Sequence, residues 1–432
     1  MNSSRLGRVL CVTVLVSLLA ACGTSNSTSG NKPLAGKKVE VAAVWSKDEQ
    51  KNFEAVLKGF SDKTGATATF TSTGDQIGTV LGSRIASNSP PDVAVLPQPG
   101  LLKDLATKGS LKELDSDTAN VVGQNYAPVW KELGTVNGKF YGVFFKAANK
   151  STVWYNVKVL KDAGVQPPGS MADLTKTLAT ISASGVKPLS VGGADGWTLT
   201  DWFENAYLNI AGRDNYVKLT THTIKWTDQT VKDTLTALAQ VLQDKYVAGG
   251  LSGALQTDFP TSVANIAGNP PKAAIVYEGD FVEGTLKDTS HLTPGTDFNF
   301  FPFPGKSGAS NSVMGGGDVA VRLTDNTAGV ELVKYLASPE AAQIWAAKGG
   351  FASANKKVDV SVYPDPVAKA SAQALANAQS FVFDMSDQAP AAFGGTKGSG
   401  EWADLQAWLK NPANVDAATA QLEKDATAAY GS

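Results

Sequence analysis

The stretch ADGWTLTDWFENAY, residues 194–207, sets two indoles five positions apart, Trp197 and Trp202, each with an aspartate close by. An indole offers a flat apolar face and a carboxylate a strong acceptor. Together they suit a ligand with C–H faces and hydroxyl edges, as sugars have. Thr198 and Asp201 match a capping box, which predicts a helix starting there with Leu199, Phe203, Ala206 and Ile210 as its buried stripe. Trp202 lies beside that stripe and reads as core. Trp197 falls just before the cap, behind GGADG, where a strand gives way to a helix. The crevice at the carboxyl ends of strands is the usual ligand position in open α/β sheets, as is a cleft between lobes. The competing reading of Trp197 is a hydrophobic staple folded onto its own helix.

A second constellation is Glu278 and Asp280 in VYEGDFV. If the strand before them continues, both carboxylates share one face, at a spacing compatible with the shorter of the separations (roughly 5–9.5 Å) used by glycosidases. The plainer reading is hydrogen bonding at a strand end. Other enzyme signatures are thin. His222 and His291 sit far apart in polar sequence, GKSGA lacks the last glycine of a nucleophile elbow, and no phosphate-cradling P-loop occurs. GGGDVA fits G-x-G-x-x-A, but a strand-like run follows it where a dinucleotide site needs a helix. Those glycines instead turn the chain or let backbone come close to something.

The elements that must position these groups alternate. KVEVAAVW reads as a strand covered on both faces. Ser46 and Glu49 match a capping box for a helix with Phe53, Val56, Leu57 and Phe60 on its stripe, and Gly65 stops it. ATATFTS, a helix with Ile77, Val80, Leu81 and Ile85, and DVAVL continue the series, which implies a largely parallel sheet covered by helices. Two strand-like runs meet around KFYGVFFKAANKSTVWYN, a crossover between lobes, after which KPLSVGG, KAAIVYE and a helix on Val231, Leu235, Leu238 and Leu242 form a second series. GGGDVAVRL reads as a strand returning to the first lobe.

The totals agree with two lobes: 432 residues exceed one ordinary core, and 43% hydrophobic content describes a globular chain. A net charge of −2 with scattered Lys and Arg excludes a nucleic-acid partner. At the start, Arg5 and Arg8 precede the apolar run VLCVTVLVSLLA, too short to span a bilayer, which reads as a secretory signal over residues 1–21. It ends in LAAC, resembling a bacterial lipoprotein cleavage box, so Cys22 is expected to carry lipid and residues 22–36 to form a flexible tether. Cleavage removes Cys11 and leaves Cys22 as the sole cysteine, against disulfides, zinc clusters and a catalytic thiol. The protein is therefore expected to be exported and anchored to the outer face of the cytoplasmic membrane.

With FFKAANKSTVWYN, ADGWTLTDWFENAY, VYEGDFV, GGGDVAVRL, YLASPEAAQIWAAKGGF and FDMSDQAPAAFGGTKGSGEW in hand, the chain resembles the family 1 extracellular solute-binding proteins, carbohydrate receptors of bacterial ABC importers, and among them the glucoside-type members. The resemblance implies an α/β, two-lobed periplasmic-binding-protein-like fold whose discontinuous lobes are joined by hinge crossovers: 37–147 plus 310–360, and 148–309 plus 361–432. It also implies a monomeric receptor, not an enzyme, without cofactor or metal, that hands a sugar to membrane permease subunits. Family ligand residues lie in loops at the lobe interface, which by position points to Trp45, Gln98, Lys146, Trp197, Glu278, Asp280, Gly316, Asp318 and Phe351. Here Trp197 would be the stacking platform, and Glu278, Asp280 and Asp318 hydroxyl acceptors. Lys146 would be a donor near the hinge unless it pairs with Glu278, and Trp45 and Phe351 would be apolar walls.

Overall fold

Apolar alternation and helical stripes build the expected β and α series, and the computed structural model describes residues 32–431 apart from 309, 311 and 379. The signal segment, Cys22 and most of the tether lie outside the described residues. The end of the tether, expected not to pack, does so: Leu34 is buried and its N–H donates to the Thr64 carbonyl at 2.9 Å.

In chain order, β1 (Lys38–Ala43) leads to α1 (Lys47–Thr64), β2 (Thr67–Ser72), β3 (Val93–Leu96) and α2 (Pro99–Thr107). Phe53, Val56, Leu57 and Phe60 of α1 are buried, and Gly65 ends the helix at φ 81°, donating to the Ser61 carbonyl. Ser46 occupies the N-cap, but the capping box does not form: its hydroxyl makes no cap bond, and Glu49 turns instead to Lys146. The chain then runs through β4 (Gly142–Asn149), β5 (Thr152–Asn156), β6 (Lys187–Ser190), α3 (Trp197–Ala211), α4 (Phe259–Ala267), β7 (Ala273–Tyr277) and β8 (Phe298–Pro302). It closes with β9 (Ser312–Arg322), β10 (Ser380–Phe383), α5 (Met385–Gln388) and α6 (Gly400–Leu409) before a last helix.

Two principal sheets result. The first has the order β10–β9–β3–β1–β2, with β4 also on β9; β1 is parallel to β2 and β3, whereas β9 runs antiparallel to β3 and β4. The second has the order β8–β5–β7–β6. One hydrophobic cluster surrounds the first sheet, with Val41, Val95, Phe144 and Val319, and another the second, with Phe203, Leu235, Ile275 and Leu405. The chain passes between the sheets from Asn149 to Thr152 and again from Pro302 to Ser312. β10, counted with the second lobe from sequence, pairs in register with Ser312–Gly315 of the first sheet. No helix among the described residues is long and apolar enough to cross a membrane.

Candidate ligand-binding cleft

Between the two halves lies a cavity of about 280 Å³, walled from the first sheet's side by Trp45, Gln98, Lys146 and Asp318 and from the second's by Trp197 and Asp387. Element ends and the β4–β9 ladder deliver the wall residues. Trp45 follows β1, Gln98 is the N-cap of α2, Lys146 and Asp318 face each other across the β4–β9 ladder, and Trp197 opens α3.

Trp197 is half-buried, its ring 5.3 Å from that of Phe259 and 6.0 Å from that of Phe281. The helix starts two residues earlier than the sequence predicts, because Gly196 at φ 82°, not Thr198, serves as N-cap. A Cβ there would come within 2.9 Å of Trp402, so the turn requires glycine on both counts. The predicted Thr198–Asp201 box is replaced: Thr198 donates to the Gly192 carbonyl, and Asp201 points to the hinge and accepts from Lys150 at 3.2 Å. Trp202 is core, as its spacing predicts, packed at 4.7 Å on Tyr277.

Lys146 is buried and pairs with Glu49 at 2.6 Å, not with Glu278. Burial opposes its charge, but Glu49 and Asp318 outweigh that and hold the ammonium above its usual range. Its Nζ lies 4.9 Å from the Trp345 ring centroid and 5.4 Å from that of Phe281, a second source of stabilisation for the cation. Asp318 is half-buried on the wall, where removal from bulk water pushes its carboxyl up to about 7 while Lys146 pulls the other way.

Below the wall, Lys150 sits in the first crossing and gathers Asp201, Asp384 and Asp387. Desolvation would discharge it, but the three carboxylates prevail and keep it charged. Its Nζ lies 5.8 Å from the Trp197 ring, so the same cation lies near the edge of the cleft. Gly316 serves this arrangement: a Cβ there would meet the Lys150 methylene at 2.9 Å.

Several expected ligand residues therefore stand behind the wall. Gly316 makes room for Lys150, and its neighbour Gly317 lines the cavity instead. Phe351 is buried against Phe145 and Trp345, each at 5.4 Å, so it is core. β7 ends at Tyr277, before the paired acids, and neither faces the cavity. Asp280 accepts from the Asn149 N–H at 3.1 Å, pinning the end of β4, and burial pushes its carboxyl up to about 7. Glu278 is buried beside Asp201; burial and that neighbour hold its carboxyl well above the usual carboxylate range. Trp45 reaches the cleft only at its margin, since Phe53 and Trp345 hold its ring at 4.7 and 4.9 Å. Gln98 lines the cavity and donates toward the Gly394 carbonyl at 3.4 Å.

The sequence reading missed Glu49, Asp195, Phe281 and Asp387 as wall residues. Glu49 was assigned to a cap, and Asp195 was visible beside Trp197. Asp387 carries no local spacing signal in FDMSDQAP. No residue pattern distinguished Phe281 from ordinary core.

Residues 45–343 match the family model of the bacterial extracellular solute-binding protein. The chain is 32% identical over 374 residues to the alpha-glucosides-binding periplasmic protein AglE of Rhizobium meliloti (strain 1021), covering 84% of this chain and 81% of that protein. It is 29% identical over 397 residues to the osmoprotective compounds-binding protein GgtB of Synechocystis sp. (strain ATCC 27184 / PCC 6803 / Kazusa), covering 90% and 93%. Among solved structures it resembles the bacterial solute receptor AcbH, with a TM-score of 0.80 at 18% identity over 91% of this chain and 99% of that one. That likeness shows the two-lobed fold. With its family match running from Trp45 on the cleft wall past the second crossing, this chain belongs to the bacterial extracellular solute-binding proteins, which are receptors and not enzymes.

Proposed function

We propose that this protein is the sugar receptor of an ABC importer, with an α-glucoside as its ligand. The observation that carries the reading is Trp197, half-buried and turned to a cavity whose opposite wall presents Asp318. The indole takes a pyranose C–H face while Asp318 and Asp387 accept from hydroxyls and Gln98 contributes an amide. The similarity to AglE, an alpha-glucosides-binding protein, supports that ligand class. The carboxylates Glu278 and Asp280, turned away from the cavity, give the hydrolase alternative no support.

The lobes, divided near residues 148 and 310 and again after β10, close on the ligand by bending at the crossings around Lys150, and the closed form docks on the permease. The receptor acts as a monomer held to the outer face of the membrane through lipid on Cys22. Calorimetry with α-glucosides tests the binding step. Trp197→Ala is expected to weaken affinity by about 10- to 100-fold, the effect of losing roughly 1.5–3 kcal/mol of apolar contact, with thermal stability retained. Unchanged affinity would remove the indole from the site.

A further inference from the structure

Phe281 touches both halves of the molecule. It follows β7 in the turn 279–281 and packs, half-buried, on the cluster of Trp154, Val263 and Val276 that belongs to the second sheet. Within that half its ring lies 6.0 Å from that of Trp197 and 5.4 Å from that of Phe259, which itself stands 5.3 Å from Trp197. The three rings thus form one cluster behind the indole. Across the cleft the same ring lies 5.4 Å from the Nζ of Lys146, which is carried by β4 of the first sheet. The other rings near that ammonium, Trp45 at 5.9 Å and Trp345 at 4.9 Å, both belong to the core of the first half.

The position of the Phe281 ring is fixed from several sides. Its turn is fastened to the end of β4, where the chain first crosses between the sheets: the Asp280 N–H donates to the Asn149 carbonyl at 3.0 Å, and the Asn149 N–H donates to the Asp280 carboxyl at 3.1 Å. From the core side, the Trp154 indole N–H donates to the Gly279 carbonyl at 3.1 Å. Gly279 also clears the space the ring occupies, since a Cβ there would lie 2.4 Å from Phe281 Cε1. Any other residue at 279 would push the ring aside. An ammonium within about 6 Å of a ring centroid is drawn to the negative face of the ring, and the attraction strengthens as water is excluded. Lys146 is buried, so this condition is met.

We propose that Phe281 is a positioning residue for sugar binding: it seats against the Lys146 ammonium across the cleft, holding the two halves together around the ligand, and backs Trp197 for stacking. This rests on the sugar-receptor reading. Opening of the cleft draws the ring away from the ammonium, so the contact acts on release of the ligand more than on its capture.

The test is calorimetry and stopped-flow on the full protein with methyl α-glucoside and maltose, over a double-mutant cycle of Phe281→Leu and Lys146→Met, which keep much of each side chain's bulk and remove the ring and the charge. Phe281→Leu is expected to weaken binding by about 3- to 10-fold, mainly through faster dissociation, with association unchanged within twofold. In the Lys146→Met background the same substitution should cost twofold at most, because the ammonium that attracts the ring is gone. Phe281→Tyr, which keeps the aromatic face, should dissociate within twofold of wild type. If thermal unfolding shows that Phe281→Leu does not fold, Phe281→Met takes its place in the cycle with the same expectations. No loss on removing the ring, or the same loss in both backgrounds, overturns the positioning role and leaves the receptor reading standing. Wild-type protein that binds neither sugar overturns both.

Discussion

Asp280 and Asp318 carry the same kind of carboxyl into different work. Asp280 is fixed behind the wall by the Asn149 N–H, whereas Asp318 faces the cleft. A carboxylate acceptor contributes more to a hydroxyl than a neutral amide does, by about 1 kcal/mol, so Asp318→Asn is expected to weaken sugar affinity about fivefold in calorimetry. Asp280 bears instead on stability. Its carboxyl titrates near 3.8 unfolded and is pushed up to about 7 by burial, with Lys146 and Glu49 nearby pulling in opposite directions. The folded protein therefore binds this proton more tightly. The contribution is present in full below about pH 4 and is lost as pH rises through about 7, on the order of 4 kcal/mol in total. The urea midpoint should fall between pH 4.5 and 7.5, and Asp280→Asn, which keeps the acceptor for Asn149, should flatten that fall. A wild-type midpoint independent of pH would contradict this. Trp197 was legible in the sequence because a glycine-rich turn before a helix is a local pattern. The orientation of Glu278 and Asp280 was not, since it depends on β7 stopping at Tyr277.

Among the elements, α5 shows how a short segment is held in place. Its own four residues cannot sustain a helix. Glu204, buried in the middle of α3, accepts from the Met385 N–H, from Ser386 N–H at 2.9 Å and from the Tyr216 hydroxyl at 2.7 Å. Asp384 then caps the turn by accepting from the Asp387 N–H, also at 2.9 Å, which places Asp387 on the cleft wall. Glu204→Ala leaves two buried backbone donors, the Met385 and Ser386 N–H groups, without a partner, while the Tyr216 hydroxyl keeps the Phe383 carbonyl at 3.2 Å. Urea unfolding is expected to show a loss of about 2 kcal/mol or more, at about 1–3 kcal/mol per donor, and sugar affinity should fall with it. Retained stability would mean that water replaces the carboxylate. α2 docks on the same segment through Gly100, where a Cβ would lie 2.0 Å from the Ala389 carbonyl oxygen. The α3 helix was legible from its apolar stripe. Its start was misplaced because Thr198, a local cap by pattern, donates to the Gly192 carbonyl in the preceding turn and Asp201 is claimed by Lys150 in the first crossing.

Across the whole molecule, Lys397 ties the halves at the cleft margin, reaching Asp75 at 3.4 Å and Asp195 at 3.3 Å. Asp75 follows β2, and Asp195 precedes α3, so the cation spans both sides. Its side chain is 36% exposed, and solvent screening limits each contact to about 0.5 kcal/mol. Lys397→Ala is therefore expected to weaken sugar affinity only two- to fivefold, mainly through faster dissociation in stopped-flow, with a smaller effect at high salt. A change confined to association would argue against a closing contact. The residue types themselves determined the two series of strands and helices, the first crossover, Trp202 as core and Trp197 as a ring outside it, because periodicity and turn chemistry act over a few positions. Only the tertiary structure decided that Lys146 pairs with Glu49, 97 residues away, that Lys150 gathers carboxylates from two distant segments, and that Phe351 and Gly316 serve packing. A charge takes the partner that burial brings nearest, and which partner that is depends on how the sheets stack, a relation between distant segments that no local spacing encodes.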